Sequence, residues 1–313
     1  MRIAVYGSGG VGGYFGGRLA RTEARVSFIA RGEHLRALRQ GGLQVESVRG
    51  DFAVRPVHAT DDPAEVGEVD VVLLAVKAWQ VREAAEAMRP MLGPDTAVVT
   101  LQNGVEAPLR VAEVVGRARV LPGLVKIFSH VAAPGRVRDV GGPASIAFAE
   151  WDGGPSERVE RLREALARAG VAVEVPEDVH AALWSKFLFV VPMGGVGAVA
   201  RAPVGVLRSL PGTRRMLEEA MGEIREVALA RGVRLPADVV ERTLAFVDTL
   251  PAEGTSSLQR DLAAGRRSEL DDWNGAVVRL GGEAGVDTPL NRFIHDALLP
   301  LELRARGELE FTD

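Results

Sequence analysis

The chain has 313 residues, enough for two domains at roughly 100–200 residues each. Its 47% hydrophobic and 26% charged side chains are the balance of a globular protein with a buried core. With 38 basic and 42 acidic residues the formal charge is -4, which excludes the basic footprint of a nucleic-acid binder, and the lack of any cysteine excludes disulfides, thiol nucleophiles, thiolate zinc sites and iron–sulfur clusters.

The opening MRIAVYGSGG has no apolar region or cleavage site of a secretory signal. Arg2–Tyr6 reads as a strand running into glycines, Val11–Arg21 as a helix and Arg25–Ala30 as a second strand. Val69–Val76 (VDVVLLAV) is an apolar run rich in β-branched residues, as expected of a strand buried on both faces of a parallel sheet. A helix-like Ala84–Met91 leads to another such strand, Ala97–Leu101. Shorter strands are expected at Val120–Leu121, Ala144–Ala149 and Val171–Val175. Strands alternating with helices imply an α/β fold with a doubly wound sheet over residues 1–175.

After Pro176 the pattern changes to helix-length amphipathic segments with no convincing strand. They are Val179–Val191, Thr213–Arg231, Ala237–Thr249, Ser257–Ala264, Glu269–Glu283 and Pro289–Arg306. Residues 176–313 are therefore expected to form an all-helical second domain, packed on the first with a cleft between them. The longest uncharged stretch, Phe187–Ala200, is 14 residues long, contains Pro192 and is too short to span a bilayer. The expectation is a soluble cytoplasmic protein without membrane or nucleic-acid partners. The five histidines (His34, His58, His130, His180, His295) show no metal-ligand spacing, so no metal site is expected.

Gly7-Ser8-Gly9-Gly10-Val11-Gly12 matches G-x-G-x-x-G directly after the first strand and at the start of a helix. That placement suits a tight turn and a backbone that approaches a pyrophosphate at a helix N-terminus. About 20 residues on, an acid would mark NAD and an arginine NADP. The sequence there is Ala30-Arg31-Gly32-Glu33, which favours NADP through Arg31; in the competing reading Arg31 is a solvated charge and Glu33 takes the ribose. Ligands of such sheets bind beyond the carboxyl ends of the strands, where Lys77 and Asn103 stand, although Asn103-Gly104 also has ordinary turn chemistry.

Of the 38 basic residues, 35 are arginine, and only Lys77, Lys126 and Lys186 are lysine. Lysine releases a proton near neutral pH far more readily than arginine. Lys186 precedes the uncharged stretch on an expected helix, where partial desolvation lowers an ammonium pKa; the competing reading is a lysine snorkelling from a helix end. Ser268-Glu269-Leu270-Asp271 and Ser256-Ser257-Leu258-Gln259 each carry helix-start signatures, the second as a capping box with Ser256 as cap. Helix N-termini also bind carboxylates. Lys126 is left without a role, and Trp79 and Trp184, beside Lys77 and Lys186, read as packing.

The segment Lys77-Ala78-Trp79-Gln80-Val81, the pair Asn103-Gly104, ALWSK ending at Lys186, and Ser256-Ser257 followed by Asp261–Arg266, Ser268–Asp271 and Asn274-Gly275 resemble the ketopantoate reductase (2-dehydropantoate 2-reductase) family. These landmarks run from residue 7 to about 290. The resemblance implies a Rossmann domain, a helical domain with a role in substrate binding and dimerisation (hence a possible homodimer), NADPH as cofactor and a 2-oxo acid as substrate, in a step of pantothenate biosynthesis. It implies that Gly7, Ser8, Gly9, Gly10, Val11 and Gly12 cradle the pyrophosphate and that Arg31 and Lys77 meet the 2′-phosphate end. It further implies that Asn103 lies by nicotinamide and substrate, that Ala132 gives a backbone contact to the cofactor, that Lys186 is the proton donor, that Ser257 holds substrate, and that Glu269 is catalytic and near the cofactor. Where the family usually has three substrate-binding asparagines, this chain has Val190, Gly194 and Val204. A pocket less demanding about the substrate's distal hydroxyl is therefore expected, with a more apolar 2-oxo acid as the alternative substrate. A non-catalytic NADP-binding sensor is the rival reading.

Overall fold

The computed structural model describes residues 1–311; the last two residues of the expected second domain, 312 and 313, lie outside the described residues. The chain divides into two units, one of residues Met1–Gln102 and Glu106–Val179, the other of Asn103–Val105 and the chain from His180 onward.

The first unit holds thirteen strands: β1 (Arg2–Tyr6), β2 (Arg25–Ile29), β3 (Leu43–Ser47), β4 (Phe52–Val54), β5 (His58–Thr60), β6 (Val69–Leu74), β7 (Leu92–Thr100), β8 (Val120–Leu121), β9 (Gly123–Lys126), β10 (Ser129–Ala133), β11 (Arg136–Asp139), β12 (Ser145–Phe148) and β13 (Ala172–Glu174). Its α-helices are α1 (Gly10–Leu19), α2 (Gly32–Gly41), α3 (Val81–Ala87), α4 (Ala107–Val115) and α5 (Glu157–Arg168). Six strands form one parallel sheet in the order β5-β2-β1-β6-β7-β8. Successive residues of its central strands enter opposite cores. Ile3, Val5, Val71, Leu73 and Val99 pack with Phe15, Phe28 and Leu38, whereas Ala4, Tyr6, Val72, Leu74 and Val98 pack with Val81, Met88 and Val111. Burial on both faces is why these strands read as apolar runs. Asp70, which interrupts VDVVLLAV, is exposed and accepts from the Arg2 N–H at 2.7 Å, and the strand ends at Leu74, short of Val76.

Two smaller sheets accompany the parallel one; β12 and β13 fall within the expected strands Ala144–Ala149 and Val171–Val175, whereas β3, β4, β9, β10 and β11 match no expected strand. One has the order β10-β11-β3-β4 and the other β13-β12-β9. β11 pairs in parallel with β3, a segment more than 90 residues earlier, and buried Asp139 at its end accepts from Ser47 Oγ and Arg49 Nη1, each at 2.7 Å. β10 is an edge strand with exposed residues and no alternation to betray it. Residues 84–91, expected as one helix, are the end of α3 followed by a 3₁₀ turn at Arg89–Met91.

The second unit is helical, as the pattern after Pro176 indicates. It comprises α6 (Val179–Ala200, which starts at the end of the first unit), α7 (Val204–Ser209), α8 (Pro211–Ala230), α9 (Val239–Thr249), α10 (Ser257–Ala263), α11 (Asn274–Ala284) and α12 (Pro289–Arg306). α6 does not stop at Val191: it continues through Pro192 for 22 residues. Proline removes one backbone hydrogen bond, and the burial of Phe187, Leu188, Val191, Met193 and Val196 offsets that loss. The full helix is long and apolar enough to cross a bilayer by length and composition, which corrects the 14-residue argument, yet 61% of its apolar window is buried inside the protein. It is a core helix. The expected helix Glu269–Glu283 starts only at Asn274, and residues 269–273 form turns.

At the joint between β1 and α1 the backbones are nearly in contact. A Cβ at Gly12 would overlap the Gly7 carbonyl oxygen and lie 2.9 Å from Val5 Cγ1. Overpacking typically costs about 1–3 kcal/mol, and here one obstacle is backbone. Gly12→Ala is therefore expected to lower the urea midpoint by the equivalent of at least about 2 kcal/mol without changing m; a midpoint equal to wild type would show that α1 can retreat from β1 freely.

Candidate functional site

The sheet order reverses between β1 and β6, and ligands of open α/β sheets bind beyond the strand ends at such a point. A groove of about 300 Å³ lies there, lined by Tyr6–Gly9, Ile29–Arg31, His34, Val76, Gln80, Glu83, Ala84 and Val131. Gly7 turns the chain with φ +98°, where a side chain would meet the backbone of Ala75 and Val76 at 2.9 Å. Gly9, before the first turn of α1, has nothing within 4 Å of the position a Cβ would take. Bare backbone at a helix N-terminus, open to a neighbour, is the cradle a dinucleotide pyrophosphate requires. The residues present fit such a cofactor.

Of the expected cofactor residues, Gly7, Ser8, Gly9 and Arg31 line this groove. Gly10, Val11 and Gly12 build the helix beneath it, Gly10 tight against the backbone of Ser129 and His130. Ala132 is the residue that the β10–β11 pairing skips, next to groove-lining Val131, so a local bulge lies beside the groove. Lys77 precedes a 3₁₀ turn at Ala78–Gln80, one residue from Val76. Gln102, after β7, donates to the carbonyls of Leu74 (2.9 Å) and Val76 (3.1 Å), fastening the end of β7 to the end of β6. Glu33, the competing ribose ligand, is instead exposed and pairs with Arg36 at 3.5 Å.

Arg31 is not a lone solvated charge. Its Nη2 meets Glu83 Oε1 at 2.9 Å, with both side chains more than half exposed. Such a pair contributes about 0–1 kcal/mol and yields readily to a stronger anion. Burial pushes the Tyr6 phenol up, while its hydrogen bond to Arg31 acts the other way.

His34 is a groove residue that the sequence reading passed over, three residues after Arg31 in α2. Its Nε2 faces the Ser8 carbonyl at 2.9 Å, and its Nδ1 faces the Gly135 N–H at 3.2 Å. A carbonyl only accepts and an amide N–H only donates, so Nε2 carries the proton and Nδ1 is bare. Burial lowers the His34 pKa, consistent with a neutral ring clamped between the glycine turn and the β10–β11 hairpin.

The remaining expected site residues belong to the second unit, together with Asn103. Lys186 is on α6 and its Nζ is buried. Ser257 is the first residue of α10, capped by Ser256 Oγ, which accepts from Gln259 N–H at 3.0 Å. The expected capping box is only half formed, since the Gln259 amide donates to Ala202 O at 3.1 Å. Glu269, 6% exposed, sits in the turn before α11. Ser268 N–H and Oγ–H both donate to buried Glu302, while its Oγ accepts from the Leu270 N–H at 3.3 Å; no helix follows directly, since α11 begins at Asn274.

Lys126 ends β9 and pairs with Glu174 at 3.0 Å on the surface. Trp184 is buried edge-on to Phe187, whereas Trp79 is 37% exposed, so packing accounts for the first better than the second. At the three positions lacking asparagine, Val190 packs on the second core, Val204 is 1% exposed within it, and a Cβ on Gly194 would lie 2.6 Å from the Trp273 ring. Val204 and Gly194 thus answer to core packing.

A glycine turn feeding a helix at the switch point of a parallel sheet, followed by a helical unit with a buried lysine, places the chain among Rossmann-type dinucleotide-binding proteins. The family model "Ketopantoate reductase PanE/ApbA" matches residues 3–153 and its C-terminal companion residues 178–302, and the chain belongs to that family. It is 32% identical over 297 residues to the 2-dehydropantoate 2-reductase of Halobacterium salinarum, covering 95% of this chain and 97% of that one. The crystal structure of a PanE/ApbA family ketopantoate reductase from Ralstonia eutropha superposes with a TM-score of 0.90 at 35% identity, over 98% of this chain and all of the other. A D-mandelate dehydrogenase solved with NADH and anilino(oxo)acetate shares the fold at 22% identity (TM-score 0.89, 98% and 99% covered).

Beside Glu269, Asp271 accepts from His295 Nε2 at 2.9 Å and Arg306 Nη2 at 2.6 Å. The hydrogen bond to His295, seconded by Arg306, holds the Asp271 carboxyl well below the usual range. The same bond, with help from Asp296, raises the His295 pKa. A raised histidine pKa adds stability that is complete below the unfolded value of about 6.5 and is lost as pH rises through the folded value. Asp271 contributes in the opposite sense, losing its share only in strong acid. In urea titrations, His295→Gln is thus expected to cost more stability at about pH 6 than at about pH 9; an equal cost at both would mean that His295 is not charged in the fold.

Proposed function

We propose that the protein reduces 2-dehydropantoate (ketopantoate) to pantoate at the expense of NADPH. The observation that carries this reading is Lys186, one of three lysines in a chain with 35 arginines, with its Nζ buried on an apolar helix. Membership of the family and the names of its relatives support ketopantoate over a more apolar 2-oxo acid. The presence of Lys186, Ser257 and Glu269 together supports an enzyme over a sensor.

The groove residues Gly7, Ser8, Gly9 and Arg31 would hold the cofactor, with Lys77 and Ala132 beside them, and a reduced nicotinamide bound there supplies the hydride for the keto carbon. The protein's own residues manage the keto acid. Ser257, at the N-terminus of α10, receives its carboxylate, because free N–H groups and the helix dipole favour an anion there. Asn103 and Glu269 orient the carbonyl and hydroxyl groups. Lys186 Nζ gives its proton to the former keto oxygen and regains one from solvent. Arginine is unsuited to that step, since its pKa above ~12 keeps the proton. Arg31 leaves Glu83 for the 2′-phosphate, exchanging a weak exposed pair for a charge-assisted contact.

Two measurements test the reading. Arg31→Ala is expected to weaken NADPH binding about 10- to 150-fold, the worth of a charge-assisted bond of about 1.5–3 kcal/mol, and to leave NADH binding nearly unchanged; equal losses for both would assign Arg31 a structural role. In a ketopantoate-dependent NADPH oxidation assay, Lys186→Ala should lower kcat by about 10²–10⁴-fold, the usual loss for a missing general acid. Lys186→Arg should not restore it. Near-normal turnover by the arginine variant would reduce Lys186 to an electrostatic anchor, and no turnover of ketopantoate by the wild type would overturn the proposal.

A further inference from the structure

The segment that carries Glu269 has no regular backbone structure. Between Ser268 and α11 its own main-chain bonds are turns, from Asp272 N to Glu269 O, Trp273 N to Leu270 O and Gly275 N to Leu270 O. Leu270 and Trp273 pack in the core, and α12 adds polar ties on both sides of Glu269. Glu302, 34 residues away and fully buried, accepts the Ser268 N–H at 2.9 Å and the Ser268 Oγ–H at 2.5 Å on one carboxylate oxygen. Its other oxygen accepts from Arg306 Nε at 2.8 Å. The same guanidinium reaches Asp271 Oδ2 at 2.6 Å, and His295 Nε2 takes Asp271 Oδ1 at 2.9 Å. The last helix therefore grips the chain on both sides of Glu269, at Ser268 and at Asp271.

A fully buried carboxylate is an expensive way to stabilise a fold, because well-packed apolar residues of similar volume serve as well or better. What a buried, fully bonded network does provide is one fixed geometry. Four charge-assisted bonds from one helix fix the two residues bracketing a carboxylate that is itself 6% exposed. We infer that Glu302 and Arg306 are positioning residues for Glu269: the C-terminal helix sets, through Ser268 and Asp271, where the Glu269 carboxylate stands for the reaction. The inference rests on the reading of Glu269 as a site residue.

A double-mutant cycle on the full chain separates positioning from mere support, with kcat/KM for ketopantoate as the readout. Glu302→Gln keeps the shape but loses the charge and sets an amide donor in a site built for acceptors. It is expected to lower kcat/KM about 10- to 100-fold in the wild-type background and less than about 3-fold in a Glu269→Gln background, because groups acting through one another are not additive. Ser268→Ala, which removes only the hydroxyl and leaves Glu302 paired with Arg306, carries the same cycle if Glu302→Gln does not fold, with an expected loss of about 3- to 10-fold that likewise vanishes without Glu269. Equal losses in both backgrounds would overturn the inference and leave the network a stability element. Full activity of Glu269→Gln alone would remove Glu269 from the site, and the inference with it. Activity of that variant far below wild type, with non-additive losses at 302 or 268, supports both.

Discussion

The near-contact of two backbones, the end of β1 and the first turn of α1, sets the terms for the first unit. Gly12 presses on the Gly7 carbonyl, Gly10 on the backbone of β10, and Gly13 on the Val137 side chain of β11. No side chain fits at these points without displacing a neighbour. In return, α1 is seated against the parallel sheet on one side and the small β10–β11 sheet on the other. The amide groups at its start face the groove at the switch point. The same closeness explains His34: a ring that accepts from Gly135 and donates to Ser8 joins the glycine turn to the hairpin that covers α1.

The second unit is organised differently, around an apolar helix with buried polar ties at its periphery. α6 contributes Trp184, Phe187, Leu188, Val191 and Val196 to one core with residues of α8, α11 and α12. The ties are few. Asn291 receives Asn274 Nδ2 at 2.9 Å and donates to Ala220 O and Glu223 Oε2, while Glu223 accepts the N–H groups of Leu290 and Asn291 at the start of α12. At the other end of α12, Glu302 and Arg306 hold the Ser268–Asp271 segment. Buried polar groups without partners are costly, so each of these networks demands one arrangement of α12. That makes the helix a template for an irregular segment that has no secondary structure of its own.

Surface electrostatics contribute less than the number of arginines suggests. Arg82–Glu86, Arg168–Glu164 and Arg242–Asp238 are exposed i,i+4 pairs on helices, each worth about 0.3–0.5 kcal/mol. The Arg31–Glu83 pair is of the same weak, exposed kind. The three lysines divide by setting: Lys126 is a surface ion pair, Lys77 stands at the carboxyl end of the parallel sheet, and Lys186 has its nitrogen buried.

Sequence alone determined those features that repeat locally or need a particular residue type. Continuous apolar strands identified the parallel sheet, because burial on both faces leaves no polar alternation. The glycines after β1 identified the tight joint between β1 and α1, because only glycine permits so close an approach, and the loss of strand pattern after Pro176 identified the helical half. Tertiary structure alone decided the rest. The pairing of β11 with β3 joins segments about 92 residues apart, and an exposed edge strand such as β10 carries no periodicity to read. Helix α6 runs past Pro192 because its buried face outweighs one missing bond. Residues 269–273 stay out of α11 and form turns whose ends are tied to α12, 24 to 35 residues on, through Ser268 and Asp271. A residue's type states which bonds it can make; which partner reaches it first depends on groups the chain brings near only when folded.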